Sequence, residues 1–258
     1  MECSTMHVSF SSLVVVNDPF EWAYELEDRG FSGWEIVGEG RQTIDESTLP
    51  AIRNILETTH LTLTVHLPFS DLNLASLNHR IWEESIRQME QCIWSAGDFV
   101  RLAVVHPGHL SPVGMQLPDL AFDQQVLGLR RLADFAGDYG ITIGLENMVN
   151  MPHIFGKHAH ELSRIVSAVD RDNIGMVLDI GHAHTNHATG EFLDIIDKVV
   201  HVHAHDNDGS KDEHLPIGRG TVDWKPVMEK LRNFRGRVVT EARTVAEGVE
   251  SLSYIRNF

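Results

Sequence analysis

Eight short runs of β-branched and apolar residues, each followed by a longer segment of helical spacing, constrain this chain more than any other feature. The runs are His7–Ser12, Gly33–Val37, Leu61–His66, Val100–His106, Ile141–Glu146, Gly175–Asp179, Val199–His203 and Arg237–Glu241. Alternation of this kind builds a parallel sheet joined by crossover helices. The punctuation agrees. Asp18-Pro19 reads as a cap followed by proline at the first helical position, and Gly30 and Gly140 read as helix-ending glycines. Asn78–Asp98 places Ile81, Ser85, Met89, Cys92 and Ile93 at helical spacing, and Asp119–Tyr139 does the same with Leu120, Leu127, Leu132, Phe135 and Ala136. A doubly wound open sheet shares the alternation. It usually has fewer strands and a Gly-x-Gly-x-x-Gly turn after the first one, and that turn is absent here. The length, 258 residues, is close to the ~250 of a one-domain barrel. No charge block, low-complexity stretch or composition shift marks a linker. The expected architecture is therefore an α/β protein, a single (β/α)8 TIM barrel over residues 1–258.

Six of the runs stop on the same kind of residue. Leu-Thr-Val leads into His66, Ala-Val-Val into His106, Ile-Gly-Leu into Glu146, Met-Val-Leu into Asp179, His-Val into His203 and Val-Val-Thr into Glu241. In a barrel these ends share the face on which TIM-barrel active sites lie. Taken singly, a strand-terminal His or Asp commonly caps the next helix. Together they are drawn only from His, Asp and Glu, with no Ser, Thr or Asn, and so point to metal binding or proton transfer. Glu146, Asp179 and Glu241, joined by Asp212, would crowd like charges together. Two charges ~4 Å apart repel by roughly 4 kcal/mol at an effective dielectric of ~20, so the cluster needs protons or a cation. A mixed shell of histidine and carboxylate suits Zn, Mn, Co or Fe better than Ca.

Two further stretches add candidates. Asp179-Ile180-Gly181-His182 puts a second ligand type at the turn into the next helix, and Asp212 and His214 can chelate one ion from a loop. Gly218 and Gly220 let the backbone turn sharply or approach a substrate, and Asp223 reads as the cap of the following helix. His201, His203 and His205 alternate on one strand face, which leaves open which of them reaches the metal. His60, His79, His109, His153, His158, His160, His184 and His187 lack any partner pattern and read as solvated or locally bonded.

Composition narrows the partners. The chain has 21 basic and 37 acidic residues, a formal charge of −16, which disfavours charge-driven binding to nucleic acid or to anionic membranes. No apolar run approaches the ~20 residues of a membrane span, and Met1-Glu2-Cys3-Ser4 lacks the pattern of a signal peptide. Cys3 and Cys92 cannot make a disulfide framework, so a reducing cytoplasm is expected, with Cys92 in the core. Self-association into a homo-oligomer is compatible with all of this.

The residues quoted so far carry a resemblance. Val65-His66-Leu67-Pro68-Phe69, Val105-His106-Pro107-Gly108, Leu145-Glu146-Asn147, Leu178-Asp179-Ile180-Gly181-His182, His203-Ala204-His205-Asp206, the stretch Asp212 to Gly220 and Thr240-Glu241 resemble the xylose-isomerase-like TIM-barrel superfamily. That superfamily contains sugar and sugar-phosphate isomerases and epimerases together with endonuclease IV. The resemblance covers nearly the whole chain, and its His-x-x-Asp spacing selects His203 over His205. In the isomerases it implies a central divalent metal (Zn, Mn or Co) held by Glu146, Asp179, His203 and Glu241. Glu146 and Glu241 would move the substrate proton, and His66, His106 and His182 would hold the sugar. In endonuclease IV it implies a trinuclear zinc site, for which His66, His106, Glu146, Asp179, His182, His203, Asp212, His214 and Glu241 fill every ligand position. The sequence favours the isomerase, acting on a sugar or sugar phosphate, over the phosphodiester hydrolase. The acidic charge, the single Lys and absent Arg in the stretches Asn147–Lys157 and His182–Gly190, and the Asp-x-His-Leu-Pro-x-Gly-x-Gly form all favour that reading. A barrel that binds metal or sugar without turnover is the third class. Arg219 departs from the acidic residue expected at its position and is read as a group for a phosphate or carboxylate on the substrate.

Overall fold

The computed structural model describes residues 6–258, and Cys3 lies outside the described residues. Eight parallel strands close into a barrel in sequence order: β1 Val8–Ser12, β2 Gly33–Val37, β3 Thr62–His66, β4 Val100–Val105, β5 Thr142–Glu146, β6 Ile174–Asp179, β7 Val199–Ala204 and β8 Arg237–Ala242. Closure comes from β1 against β8, with Val8–Ser12 in register with Val238–Ala242. Every expected strand forms, with ends shifted by no more than one residue.

The outer layer is α1 Leu49–Thr58, α2 His79–Ala96, α3 Pro118–Gly137, α4 Ala159–Val169, α5 Ile180–Thr185, α6 Thr189–Leu193, α7 Trp224–Leu231 and α8 Val245–Arg256. Asn78 caps α2 and Asp223 caps α7 through their side chains. Gly30 and Gly140 hold φ of 95° and 65°, the left-handed turn a helix-ending glycine supplies. The β1–β2 connection departs from the expectation. Asp18 does cap, accepting from the Phe20 amide at 3.0 Å, but Pro19 opens only a three-residue 3-10 turn. Aromatic packing replaces the helix there: Trp22 meets Phe10 and Trp34 edge-on, with centroids 5.2 and 5.5 Å apart.

The phase of the α2 and α3 stripes also differs in part. Ser85, Met89, Cys92, Ile93, Leu132 and Ala136 are buried as read, whereas Ile81, Leu120 and Leu127 face solvent. The buried faces are completed instead by Trp82, Ile86, Leu129 and Ala133. The barrel interior below the mouth is polar. Glu35 on β2 meets His201 and His203 on β7 across the barrel, with Thr64 beside it, and all four side chains are buried. Among the described residues no helix is long and apolar enough to cross a membrane.

Candidate metal centre

The strand ends bring the nine expected ligands together. His66, Glu146 and Asp179 are last in their strands, His106 follows β4 directly, and His203 and Glu241 stand one residue before their strand ends. Glu146 is the hub. Its Oε2 lies 3.2 Å from His66 Nε2 and 3.3 Å from His106 Nε2. Its Oε1 lies 3.1 Å from His203 Nδ1 and 3.5 Å from His182 Nδ1. Glu241 reaches His203 Nδ1 at 3.2 Å and His214 Nδ1 at 3.5 Å, while Asp179 Oδ2 stands 3.9 Å from His203 Nδ1. Asp212 Oδ2 accepts from His214 Nε2 at 2.7 Å and lies 3.4 Å from His182 Nε2.

Local structure fixes these groups before any ligand arrives. Asp179 does both jobs weighed for it: Oδ1 caps α5 by accepting from the His182 amide at 2.6 Å, and Oδ2 is left facing the cluster. Asn147 clamps both ends of that turn. Its side chain accepts from the Asp179 amide at 2.7 Å and donates to the Asp179 carbonyl at 3.0 Å, and its carbonyl lies 2.8 Å from His182 Nδ1. The carbonyls of Asn147 and Leu67 thus select the tautomers of His182 and His66, the latter through Nδ1 at 2.8 Å. In both rings Nε2 is left to face the cluster.

Asp206 frames the loop that carries Asp212 and His214. Fully buried, it accepts from the amides of Asn207, Gly218 and Val222 and from Trp224 Nε1, at 2.8 to 3.1 Å. Gly220 lies against Asp206 and Asn207, so its close backbone approach serves the loop. Gly218 turns at φ 87°.

Glu35 was not among the expected site residues, and His201 and His205, whose part was left open, also belong to the cluster. Glu35 takes the Thr64 hydroxyl and His201 Nε2 at 2.8 Å each. His203 Nε2 also lies 2.8 Å from Glu35 Oε1, off the line of the ring N–H, so neither atom has an aligned partner. His201 is held below the cluster by Glu35. His205 is fully buried, with Nε2 3.2 Å from Asp179 Oδ1 and 3.5 Å from Asp212 Oδ1. The signal for Glu35 was its isolation as the one charged residue in Gly-Trp-Glu-Ile-Val. The signal for His205 was the alternation with His201 and His203.

Electrostatics separates the two glutamates. Burial pushes Glu146 up, but His203, His106 and His66 outweigh it and hold the carboxyl well below its ordinary value. Burial pushes Glu241 up as well, and there Asp179 and Glu146 outlast the opposing His203 and His214, so it stays raised. Burial disfavours the charged form of His205, yet Asp179, Asp212 and Glu241 carry it up to about 9. Asp179 Oδ2, both nitrogens of His205, Asp212 Oδ1 and His214 Nδ1 are buried atoms without an aligned hydrogen bond. Orphaned donors of this type, converging with carboxylates, fit a divalent cation. Among the described residues five groups offer ligand atoms within 4.8 Å of one another: Asp179, His203 and Glu241; His66, His106 and Glu146; Glu146, Asp179 and His182; His182, His205, Asp212 and His214; and, in the barrel interior, Glu35, His201 and His203.

Beside them is a cavity of about 320 Å³ lined by Glu146, Glu241, His66, His106 and His182 together with the apolar Leu13, Val15, Val37 and Phe69, the last packed against His66 and His106. Among the described residues no Lys or Arg lines it. The structure does not bring Arg219 to this cavity. Its exposed guanidinium pairs with Glu250 on α8, which captures it at the outer surface.

The chain matches the family described as xylose isomerase-like TIM barrel over residues 23–257. It is 32% identical to an uncharacterized protein of Methanocaldococcus jannaschii, over 98% of this chain and 89% of that one. A probable endonuclease 4 of Methanoculleus marisnigri is 25% identical over 81% of this chain and 78% of its own length. The crystal structure of a D-tagatose 3-epimerase-like protein superimposes with a TM-score of 0.92 at 32% identity, covering 98% of this chain and 96% of the other.

Proposed function

The chain belongs to the xylose isomerase-like TIM-barrel family, and from that premise we propose that it is a divalent-metal-dependent epimerase or isomerase of an unphosphorylated sugar. One observation carries the reading. Two glutamates from different strands, Glu146 on β5 and Glu241 on β8, approach one imidazole nitrogen at 3.1 and 3.2 Å while their surroundings drive their proton affinities apart. Such a divergent pair is the arrangement general acid–base chemistry needs.

The central ion, Zn, Mn or Co, would be held by Glu146, Asp179, His203 and Glu241. When bound it supplies polarisation of the sugar carbonyl and the neighbouring hydroxyl. The chain's own residues do the rest. Glu146, kept ionised by His203, His106 and His66, takes the proton from the carbon beside the carbonyl. Glu241, the more proton-holding partner, returns one from the other side. His66 and His106 orient hydroxyls in the cavity, and its apolar lining, Phe69, Leu13 and Val15, excludes water. A remote phosphate would find no fixed cation here and would meet Glu39 in the cavity wall, which is why the substrate is an uncharged sugar.

A second reading, a phosphodiester hydrolase with three metal ions, is favoured by one specific observation: several ligand groups stand side by side in the mouth. A paired assay separates the two. Metal-loaded protein is incubated in heavy water with a panel of ketoses, products are resolved by chromatography, and deuterium gain beside the carbonyl is measured. In parallel, abasic-site DNA is tested for nicking at low salt. Epimer formation without nicking is expected. Nicking without any sugar product would overturn the reading in favour of the hydrolase.

A further inference from the structure

We propose that the substrate is a ketose carrying an uncharged, largely apolar group at the end remote from its carbonyl, and that this group fills a second cavity beyond Phe69 and His106. The sugar half of the inference rests on the epimerase reading, and the second half rests on the cavity itself. A space of about 490 Å³ lies among the loops that follow β3, β4 and β5. It shares Phe69 and His106 with the 320 Å³ cavity at the two glutamates. Each falls within the ~300–1,000 Å³ of small-molecule sites. The strand order sets the direction. Glu146, Asp179, His203 and Glu241 stand on β5 to β8, so a sugar whose carbonyl end meets them extends toward the opposite half of the barrel, where His66 ends β3 and His106 follows β4. Its far end arrives at Phe69, whose ring is 39% exposed and packs on His66 and His106 with centroids 5.1 and 4.8 Å away.

The wall of the second cavity selects its occupant. Leu72, Ile81, Met89, Met148 and Ile154 give it apolar surface. Its polar side chains are engaged with loop backbone. Asn73 Oδ1 accepts from the amides of Ala75 and His109 at 2.9 and 3.0 Å, and its Nδ2 donates to the His109 carbonyl at 2.9 Å. Ser76 Oγ accepts from the Asn78 amide at 3.3 Å, and Ser111 Oγ from the Gly114 amide at 3.1 Å. The same loops are stitched together before any ligand arrives. The Leu110 amide donates to the His153 carbonyl at 2.7 Å and the Phe155 amide to the Gly108 carbonyl at 3.2 Å, and a side chain at Gly108 would overlap Ala75. Asp71 is the one carboxylate of the lining, and among the described residues no Lys or Arg joins it, so a phosphate or carboxylate has no fixed cation to meet. A second sugar, which needs many hydrogen-bond partners, would find most of them taken. An aromatic or branched alkyl group instead sheds its water against Phe69 and the aliphatic wall.

The test measures binding apart from turnover. Metal-loaded full-length protein is titrated by calorimetry with a panel of ketohexoses, each as the free sugar, its 6-O-benzyl ether and its 6-phosphate. For the ketohexose that binds best, the ether should bind about 10- to 100-fold tighter than the free sugar, the range that burying one side-chain-sized apolar group gives, and the phosphate should bind no tighter than the free sugar. Ile81 is 46% exposed on α2 and lines the second cavity alone, so Ile81→Glu should keep the fold and bring the ratio of ether to free-sugar affinity down toward one. Epimer formation from sugar and ether is scored separately by chromatography. Ethers that bind no tighter than their parent sugars, a phosphate that binds tighter than both, or a ratio unchanged in Ile81→Glu would overturn the proposal, whether or not any sugar is turned over. Tight, Ile81-dependent binding of an ether that is never epimerised would keep the second cavity and remove the epimerase reading instead.

Discussion

Replacing Glu35 by Gln tests how far the proposed metal centre depends on a residue buried beneath it. In the barrel interior the carboxylate accepts from Thr64 Oγ1 and His201 Nε2 at 2.8 Å each, and His203 Nε2 stands 2.8 Å from its other oxygen out of line. Burial alone would push it up, but His203 and His201 hold it well below its ordinary value, so it is ionised at neutral pH. Gln keeps the shape and loses the charge. It offers one acceptor oxygen, and its amide N–H must then confront one of the imidazole N–H groups. Losing one hydrogen bond to a charged group costs about 1.5–3 kcal/mol of stability. Loss of an outer-shell carboxylate behind a ligating histidine typically weakens metal binding by about 10- to 100-fold, or about 1.4–2.8 kcal/mol. Because the folded-state pKa of Glu35 is depressed, the wild-type advantage is present above the ordinary carboxylate range and is lost as pH falls through the folded value. Zinc affinity is read by competition with a chromophoric chelator, and stability by thermal melting of the metal-free protein. Thr64→Val is the control. It removes one donor and leaves the carboxylate, so it should cost about 1 kcal/mol of stability and leave affinity nearly unchanged. Equal zinc affinity in wild type and Glu35→Gln, or an equal loss in both variants, would refute the argument.

Three other outcomes follow from the same geometry. Burial opposes charge on His182 and His203, but Asp179 and Asp212 around the first and Glu241, Glu146 and Glu35 around the second raise both well above the ordinary value. The metal-free protein therefore carries these protons at neutral pH, and ion binding should release them and tighten as pH rises; calorimetry in buffers of different ionisation heat measures this, and metal uptake without proton release would contradict it. Glu146→Gln should retain the far-UV spectrum of the barrel yet lose at least ~10²-fold in turnover, and wild-type rates in that variant would remove it from proton transfer. Gly181→Ala sits in α5, where Ala would ordinarily stabilise by roughly 0.8–1 kcal/mol. Here a side chain would overlap the His205 imidazole, and the clash should reverse the sign and cost about 1–3 kcal/mol, so a raised melting temperature would show that the ring is free to move.

The sequence was most legible where chemistry coincides with strand ends. A run such as Leu-Thr-Val-His declares both its strand and its ligand, because a polar residue there interrupts an apolar pattern at the only place a barrel tolerates it freely. Glu35 was not legible for the complementary reason: it lies mid-strand, where its carboxylate is satisfied by Thr64 on β3 and by His201 on β7, the latter more than 160 residues away in sequence. His205 was passed over because spacing selected His203 over it, whereas the pleat sends His201, His203 and His205 to the same side and all three meet buried carboxylates, His201 at Glu35, His203 at Glu35, Glu146 and Glu241, and His205 at Asp179. Arg219 misled because its partner, Glu250, comes 31 residues later on α8, and no local pattern reveals that pairing.

The single carboxylate of Asp206, gathering three backbone amides and one indole, has an evolutionary consequence. Because the course of the 206–224 loop is written into one buried residue and the donors it collects, the exposed stretch around Asp208, Gly209 and Ser210 can drift, lengthen or be exchanged while the frame persists. A barrel equipped in this way can redecorate its rim, generation after generation, with the histidines and carboxylates of its floor held constant.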